Sequence, residues 1–96
     1  MSTTAPLEVV RRHVVVTGRV QGVGFRASCA RRAGDLGLVG FVRNMPDGTV
    51  EAAFEGEARA VSAMVDWCHR GPGLARVDGV VVGELPPQGE TRFTFR

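Results

Sequence analysis

Apolar positions along this 96-residue chain change period several times, and each change marks an element. Glu8-Val-Val-Arg-Arg-His-Val-Val-Val-Thr17 is dense in β-branched residues. It predicts a strand, central by its apolar content, that ends at Gly18. Phe25, Cys29, Ala33 and Leu36 then recur at helical spacing and predict a helix closing near Gly37. Residues 38–43 read as a short second strand, and Asn44-Met-Pro-Asp-Gly48 as a turn. In residues 49–55, Val50, Ala52 and Phe54 alternate with Glu51 and Glu55, the pattern of a half-buried strand with both glutamates turned to water. Val61, Met64, Val65 and Cys68 mark the inner face of a second helix over residues 57–69, broken by Gly71-Pro-Gly73. A fourth strand follows over residues 75–84, with a bulge or close packing expected at Gly79. After the turn Pro86-Pro-Gln-Gly89, Phe93 and Phe95 alternate with Arg92, Thr94 and Arg96 in a short last strand.

The order is β-α-β-β-α-β with one terminal strand added. Two amphipathic helices need one sheet face to bury both apolar stripes. The expected class is α+β: a ferredoxin-like split βαβ sandwich, mainly antiparallel, with two helices on one face and a short extra C-terminal strand. Residues 1–7 read as a flexible leader and residues 8–96 as one domain. This fold hosts many functions, so function has to be read from particular residues.

Composition narrows the field. Apolar residues make up 44% of the chain, enough for a core without metal or disulfide staples. Cys29 and Cys68 lie on helical apolar stripes, and their spacing suits neither zinc nor a disulfide framework. A reducing, cytoplasmic setting is the simplest expectation. No stretch is long and apolar enough to span a membrane, and the first residues lack signal-peptide organisation. All twelve basic residues are arginine, for a net charge of +2. Arginine's planar fork suits phosphate and carboxylate, although a GC-rich genome explains the bias equally well.

The chemistry-bearing segment is Gly18-Arg-Val-Gln-Gly-Val-Gly-Phe-Arg26, between the first strand and the first helix. Its glycines allow a tight loop whose amides converge at the positive end of a helix. The amides of Arg19, Val20, Gln21, Gly22, Val23, Gly24 and Phe25, with the guanidinium of Arg26, form a candidate phosphate clamp. Spacing alone is equally compatible with an ordinary glycine-rich connection beside a solvated arginine. The segment lacks the ending of a Walker A loop and the spacing of a dinucleotide fingerprint. Asn44 offers a carboxamide able to hold a water molecule; as an alternative it caps its own turn before Pro-Asp-Gly. His13 and His69 have no metal-ligand partners at useful spacing and read as structural or exposed. Trp67 reads as a core edge, Arg11 and Arg12 as a solvated strand terminus, and the two cysteines as packed thiols.

These segments together resemble the acylphosphatase family. The resemblance starts with residues 18–26 and continues through Leu36-Gly-Leu-Val-Gly-Phe-Val-Arg-Asn-Met-Pro-Asp-Gly-Thr-Val50, Phe54-Glu-Gly56 and Gly71-Pro-Gly-Leu-Ala-Arg-Val77. It covers nearly everything from about Val9 to Arg96, in the expected order. It implies an enzyme that hydrolyses small acyl phosphates to carboxylate and inorganic phosphate, without metal or organic cofactor. Arg26 and the loop amides would bind the phosphate, and Asn44 would orient the attacking water. A substrate phosphate oxygen would take the water's proton. Ala27 and Ser28 depart from the larger or aromatic residues of many members, which bears on acyl preference. Phe41 stands where tryptophan is common, and Gly24 is a form the family shows. The partner expected is a small acyl phosphate, with no nucleic acid and no membrane, and the chain is expected to be a monomer. The competing readings are a nucleic-acid-binding module and a regulatory anion-sensing domain without turnover. The first lacks the paired exposed aromatics that RNA-binding sheets of this fold use.

Overall fold

A computed structural model describes residues 8–96; the leader expected over residues 1–7 lies outside them. The elements run β1 (Val9–Arg19), α1 (Phe25–Asp35), β2 (Val39–Asn44), β3 (Val50–Glu57), α2 (Ala58–Cys68), β4 (Arg76–Leu85) and β5 (Phe93–Phe95). They build one five-stranded sheet in the order β4-β1-β3-β2-β5. All neighbours are antiparallel except β2 and β5, which run parallel. Both helices cover one face. The architecture is the ferredoxin-like α+β sandwich that the periodicity predicts.

The core lies between that face and the helices. Val14, Val16, Val50, Ala52 and Phe54 of the central strands meet Phe25, Cys29 and Ala33 of α1 and Val61, Met64 and Cys68 of α2. Burying each large apolar side chain contributes about 1.5–3 kcal/mol. Trp67 closes the seam between the helices, its ring centroid 5.2 Å from that of Phe25. The thiols of Cys29 and Cys68 are both buried and free. A hydrogen bond between them, then burial, pushes the Cys29 pKa up.

Three expectations are corrected. First, Gly18 does not end β1. The strand continues to Arg19 through a register shift between Thr17 and Gly18 opposite β4, where Thr17 pairs with Gly79 and Gly18 with Val77. The irregularity expected at Gly79 therefore lies beside it. A side chain at Gly18 would meet the Arg76 carbonyl oxygen at 2.2 Å, so glycine is required by close approach. Second, Arg11 is not solvated: it is 2% exposed and pairs with Glu55 at 3.0 Å and Glu90 at 2.7 Å. Third, Glu55 does not face water: it is 4% exposed and also accepts the amides of Gln88, at 2.7 Å, and Gly89, at 2.9 Å. The cause of both is the connection from β4 to β5. It crosses between opposite sheet edges and covers the face away from the helices at this end. Burial pushes the Glu55 carboxyl upward in pKa, but those two amides and Arg11 outweigh it and hold the group below its ordinary value. Arg12, by contrast, stays part-exposed near Glu84 at 3.6 Å.

Glu51 remains on the same open face. His13 bonds it at 2.8 Å, and Arg43 pairs with it from β2 at 2.5 Å. The His13 bond leads in holding the Glu51 pKa low. His13 thus has a structural partner. His69, at the end of α2, bonds the Val65 carbonyl oxygen at 3.0 Å.

Candidate active site

The loop after β1 reaches α1 through two glycines in the left-handed region, Gly22 at φ 74° and Gly24 at φ 78°. Any other residue would be strained there. Gly24 is also the N-cap of α1, with no side chain capping the helix and no acidic residue in its first turn. The first amides of α1 therefore keep their donors, and nothing within the turn neutralises the positive end of the helix. Such a terminus favours an anion.

Arg26 stands in that first turn. Its Nη1 donates to the Arg96 carbonyl oxygen at 2.7 Å, and its guanidinium carbon lies 4.9 Å from the Phe95 ring centroid. The last strand thus holds the guanidinium from one side while its remaining donors stay available.

Asn44 ends β2. The turn it precedes is tied by Asp47, whose carboxylate accepts from the Thr49 amide at 3.0 Å and the Thr49 hydroxyl at 2.6 Å. Those bonds hold the Asp47 carboxyl below the usual carboxylate range. The capping role open to Asn44 on sequence is thus filled by Asp47. The Asn44 Oδ1 is buried and has no hydrogen-bond partner among the described residues. A buried acceptor left unpaired costs roughly 1–3 kcal/mol, so this oxygen suits a partner from outside the chain, such as water.

These groups share one pocket of about 220 Å³, lined by Val20, Gly22, Gly24, Phe25, Arg26, Ala27, Asn44 and Phe95. Of the clamp residues expected from sequence, Arg19, Gln21 and Val23 do not line it. Arg19 pairs with Arg76 at the end of β1. Val23 packs against the core. The side chain of Gln21 turns the other way and donates to the carbonyl oxygens of Met45, at 2.7 Å, and Thr49, at 2.9 Å. Sequence reasoning also missed Phe95. Its alternation signals a strand, but nothing local says that this strand lies beside β2.

Among the described residues no group of His, Cys, Asp and Glu could hold a metal ion. No helix among them is long and apolar enough to cross a membrane. The pocket offers backbone donors, one guanidinium and one carboxamide around a space large enough for a phosphate ion. Its chemistry is electrostatic and positional.

Comparison with known proteins agrees. The acylphosphatase family model matches residues 12–95. An acylphosphatase of Methylococcus capsulatus is 59% identical over 80 residues, covering 83% of this chain and 87% of that protein. One of Trichormus variabilis is 53% identical over 95 residues, covering 99% of this chain and 94% of its own. The solved structure of an acylphosphatase from Coxiella burnetii superimposes with a TM-score of 0.89 at 35% identity, covering 92% of this chain and 93% of that one. The chain belongs to the acylphosphatase family. It is a hydrolase of the carboxyl–phosphate bond of acyl phosphates, and the nucleic-acid-binding and anion-sensing readings are not favoured.

Proposed function

We propose that hydrolysis is carried out by Arg26 with the backbone amides at Val20, Gly22, Gly24 and Phe25 as the phosphate clamp, and by Asn44 as the water-positioning group. The observation that carries this reading is the single pocket joining Gly22, Gly24, Arg26 and Asn44, together with the unpaired Oδ1 of Asn44. The phosphoryl group of the substrate lies on the α1 terminus, and Arg26 neutralises charge on its equatorial oxygens. Asn44 Oδ1 accepts a hydrogen bond from a water molecule and aims its oxygen at phosphorus, opposite the bridging oxygen. The new P–O bond forms as the bond to the acyl oxygen breaks. The electron pair leaves with the carboxylate. A carboxylate leaves well, so strong acid catalysis is not needed. The water's proton passes to a phosphate oxygen, and inorganic phosphate is released.

Residues 8–96 act as one domain on a small acyl phosphate, as a monomer in the cytoplasm. The buried free thiols support a reducing compartment, and the uncapped helix supports an anionic partner such as phosphate. The test is release of phosphate from benzoyl phosphate in the presence of a chelator. Fast turnover with competitive inhibition by inorganic phosphate is expected; non-competitive inhibition would place the anion site elsewhere.

A further inference from the structure

β5 is only three residues long, lies at a sheet edge and pairs with β2 alone. It nevertheless carries both supports of Arg26: the Phe95 ring at 4.9 Å and, just beyond the strand, the Arg96 carbonyl oxygen at 2.7 Å. So short a strand specifies its register weakly. A slip of one residue would turn Phe95 to the opposite face of the sheet and carry the Arg96 carbonyl about 3.3 Å along it. Phe93 stacks on Phe54, with ring centroids 5.8 Å apart, and keeps the strand against the core. Apolar packing of that kind is non-directional and does not set the register by itself.

A directional anchor lies just upstream. Glu90 pairs with Arg11 at 2.7 Å, and Arg11 is tied at 3.0 Å to Glu55, its cross-strand partner. Arg11 and Glu55 belong to β1 and β3, interior strands of the sheet. Phe93 follows Glu90 by three residues, a tether of at most about 11 Å. The Nε of Arg11 is buried and has no hydrogen-bond partner among the described residues. Burying a guanidinium so incompletely satisfied costs stability, and a buried ion pair returns little of it. What the pair supplies is a fixed point on the sheet from which the start of β5 is hung.

We propose that Glu90 is a positioning residue for hydrolysis: by pairing with Arg11 it fixes the register of β5 on β2, and thereby the direction of the Arg26 guanidinium. This rests on the reading of Arg26 as the phosphate clamp. Glu90 does not line the pocket, so it acts on the substrate only through Arg26.

The experiment measures kcat, KM and the inhibition constant of inorganic phosphate, with benzoyl phosphate as substrate. The variants are Glu90→Ala, Glu90→Gln, Phe95→Ala and the double variant Glu90→Ala/Phe95→Ala, each at a temperature where circular dichroism shows it folded. Glu90→Ala should raise the phosphate inhibition constant and lower kcat/KM, each by about tenfold. Glu90→Gln keeps the volume and an acceptor for Arg11, and should lose about threefold. Phe95→Ala should lose about tenfold in kcat/KM, and the double variant clearly less than the roughly hundredfold product, because both changes act through one strand. A role in stability alone would lower the urea midpoint of Glu90→Ala and leave the constants of the folded enzyme unchanged, and would overturn the proposal. A full hundredfold loss in the double variant would overturn it too. Should Glu90→Ala not fold, unchanged constants in folded Glu90→Gln would do the same. A normal phosphate inhibition constant in Arg26→Ala would instead overturn the clamp reading itself.

Discussion

Gln21 donates its side-chain amide to the carbonyl oxygen of Met45 at 2.7 Å, and the same nitrogen reaches the Thr49 carbonyl oxygen at 2.9 Å. One carboxamide thus ties the loop before α1 to the hairpin carrying Asn44. The proposed clamp and the proposed water-positioning group belong to segments far apart in sequence, and this strap links the two. Replacing Gln21 by alanine should lower kcat about tenfold, with a stability loss of about 1–2 kcal/mol. Gln21→Glu keeps the shape but cannot donate when ionised, and it faces two carbonyl oxygens. Its kcat should be no better than that of the alanine variant. A Gln21→Glu enzyme with normal turnover would show that the strap does not position the site.

Arg26 and Asn44 should fail differently. Arg26→Ala is expected to depress kcat about a thousandfold and to weaken inhibition by inorganic phosphate. Arg26→Lys should recover little, because an ammonium cannot present the planar fork or stack on Phe95 in the same way. Asn44→Ala should depress kcat about a hundredfold and leave the phosphate inhibition constant within about twofold. The steady-state constants of the three variants separate binding from water alignment.

Glu55 links stability to acid. Its carboxyl is held low by the Gln88 and Gly89 amides and by Arg11, so its folded pKa lies below its unfolded value of 4.5. The stabilisation is complete above the unfolded value and disappears as pH falls through the folded one. Urea midpoints should be level down to about pH 5 and drop below about pH 4. Glu55→Ala leaves Arg11 buried with Glu90 alone and should cost about 3 kcal/mol at neutral pH, with a flatter acid limb. An unchanged acid limb in this variant would show that other carboxylates account for it.

The thiols of Cys29 and Cys68 are buried in the seam between α1 and α2, and the Cys29 pKa is pushed upward. A protonated, enclosed thiol is a poor nucleophile. Labelling by a thiol reagent under native conditions should therefore proceed at the rate of unfolding, and both cysteines should react together in denaturant. Rapid labelling of one cysteine in the folded protein would show a local opening at that helix.

The periodicities located both helices and the strands within one or two residues, because each apolar stripe has one sheet face to meet. Gly18 misled because a glycine after a β-branched run reads the same whether it ends a strand or makes room for a neighbouring carbonyl. Arg11 and Glu55 misled because alternation assigns them to an open face, and the segment that covers them arrives from residues 88–90. Arg26 and Asn44 were legible through their local motifs. Phe95 was not, since its place in the pocket depends on β5 pairing in parallel with β2. For Gln21 the loop was legible but the direction of the side chain was not.

In the proposed site, backbone donors at the α1 terminus and Arg26 hold a phosphate ion across from Asn44. The most direct measurement is an amide and side-chain NMR titration of the protein with inorganic phosphate, run in parallel on Arg26→Ala. Saturable shifts confined to the amides of residues 20–27, the Arg26 guanidinium and the Asn44 carboxamide, lost in the variant, are the predicted result. Phosphate-induced shifts that leave those groups still, or that survive unchanged without Arg26, would contradict it.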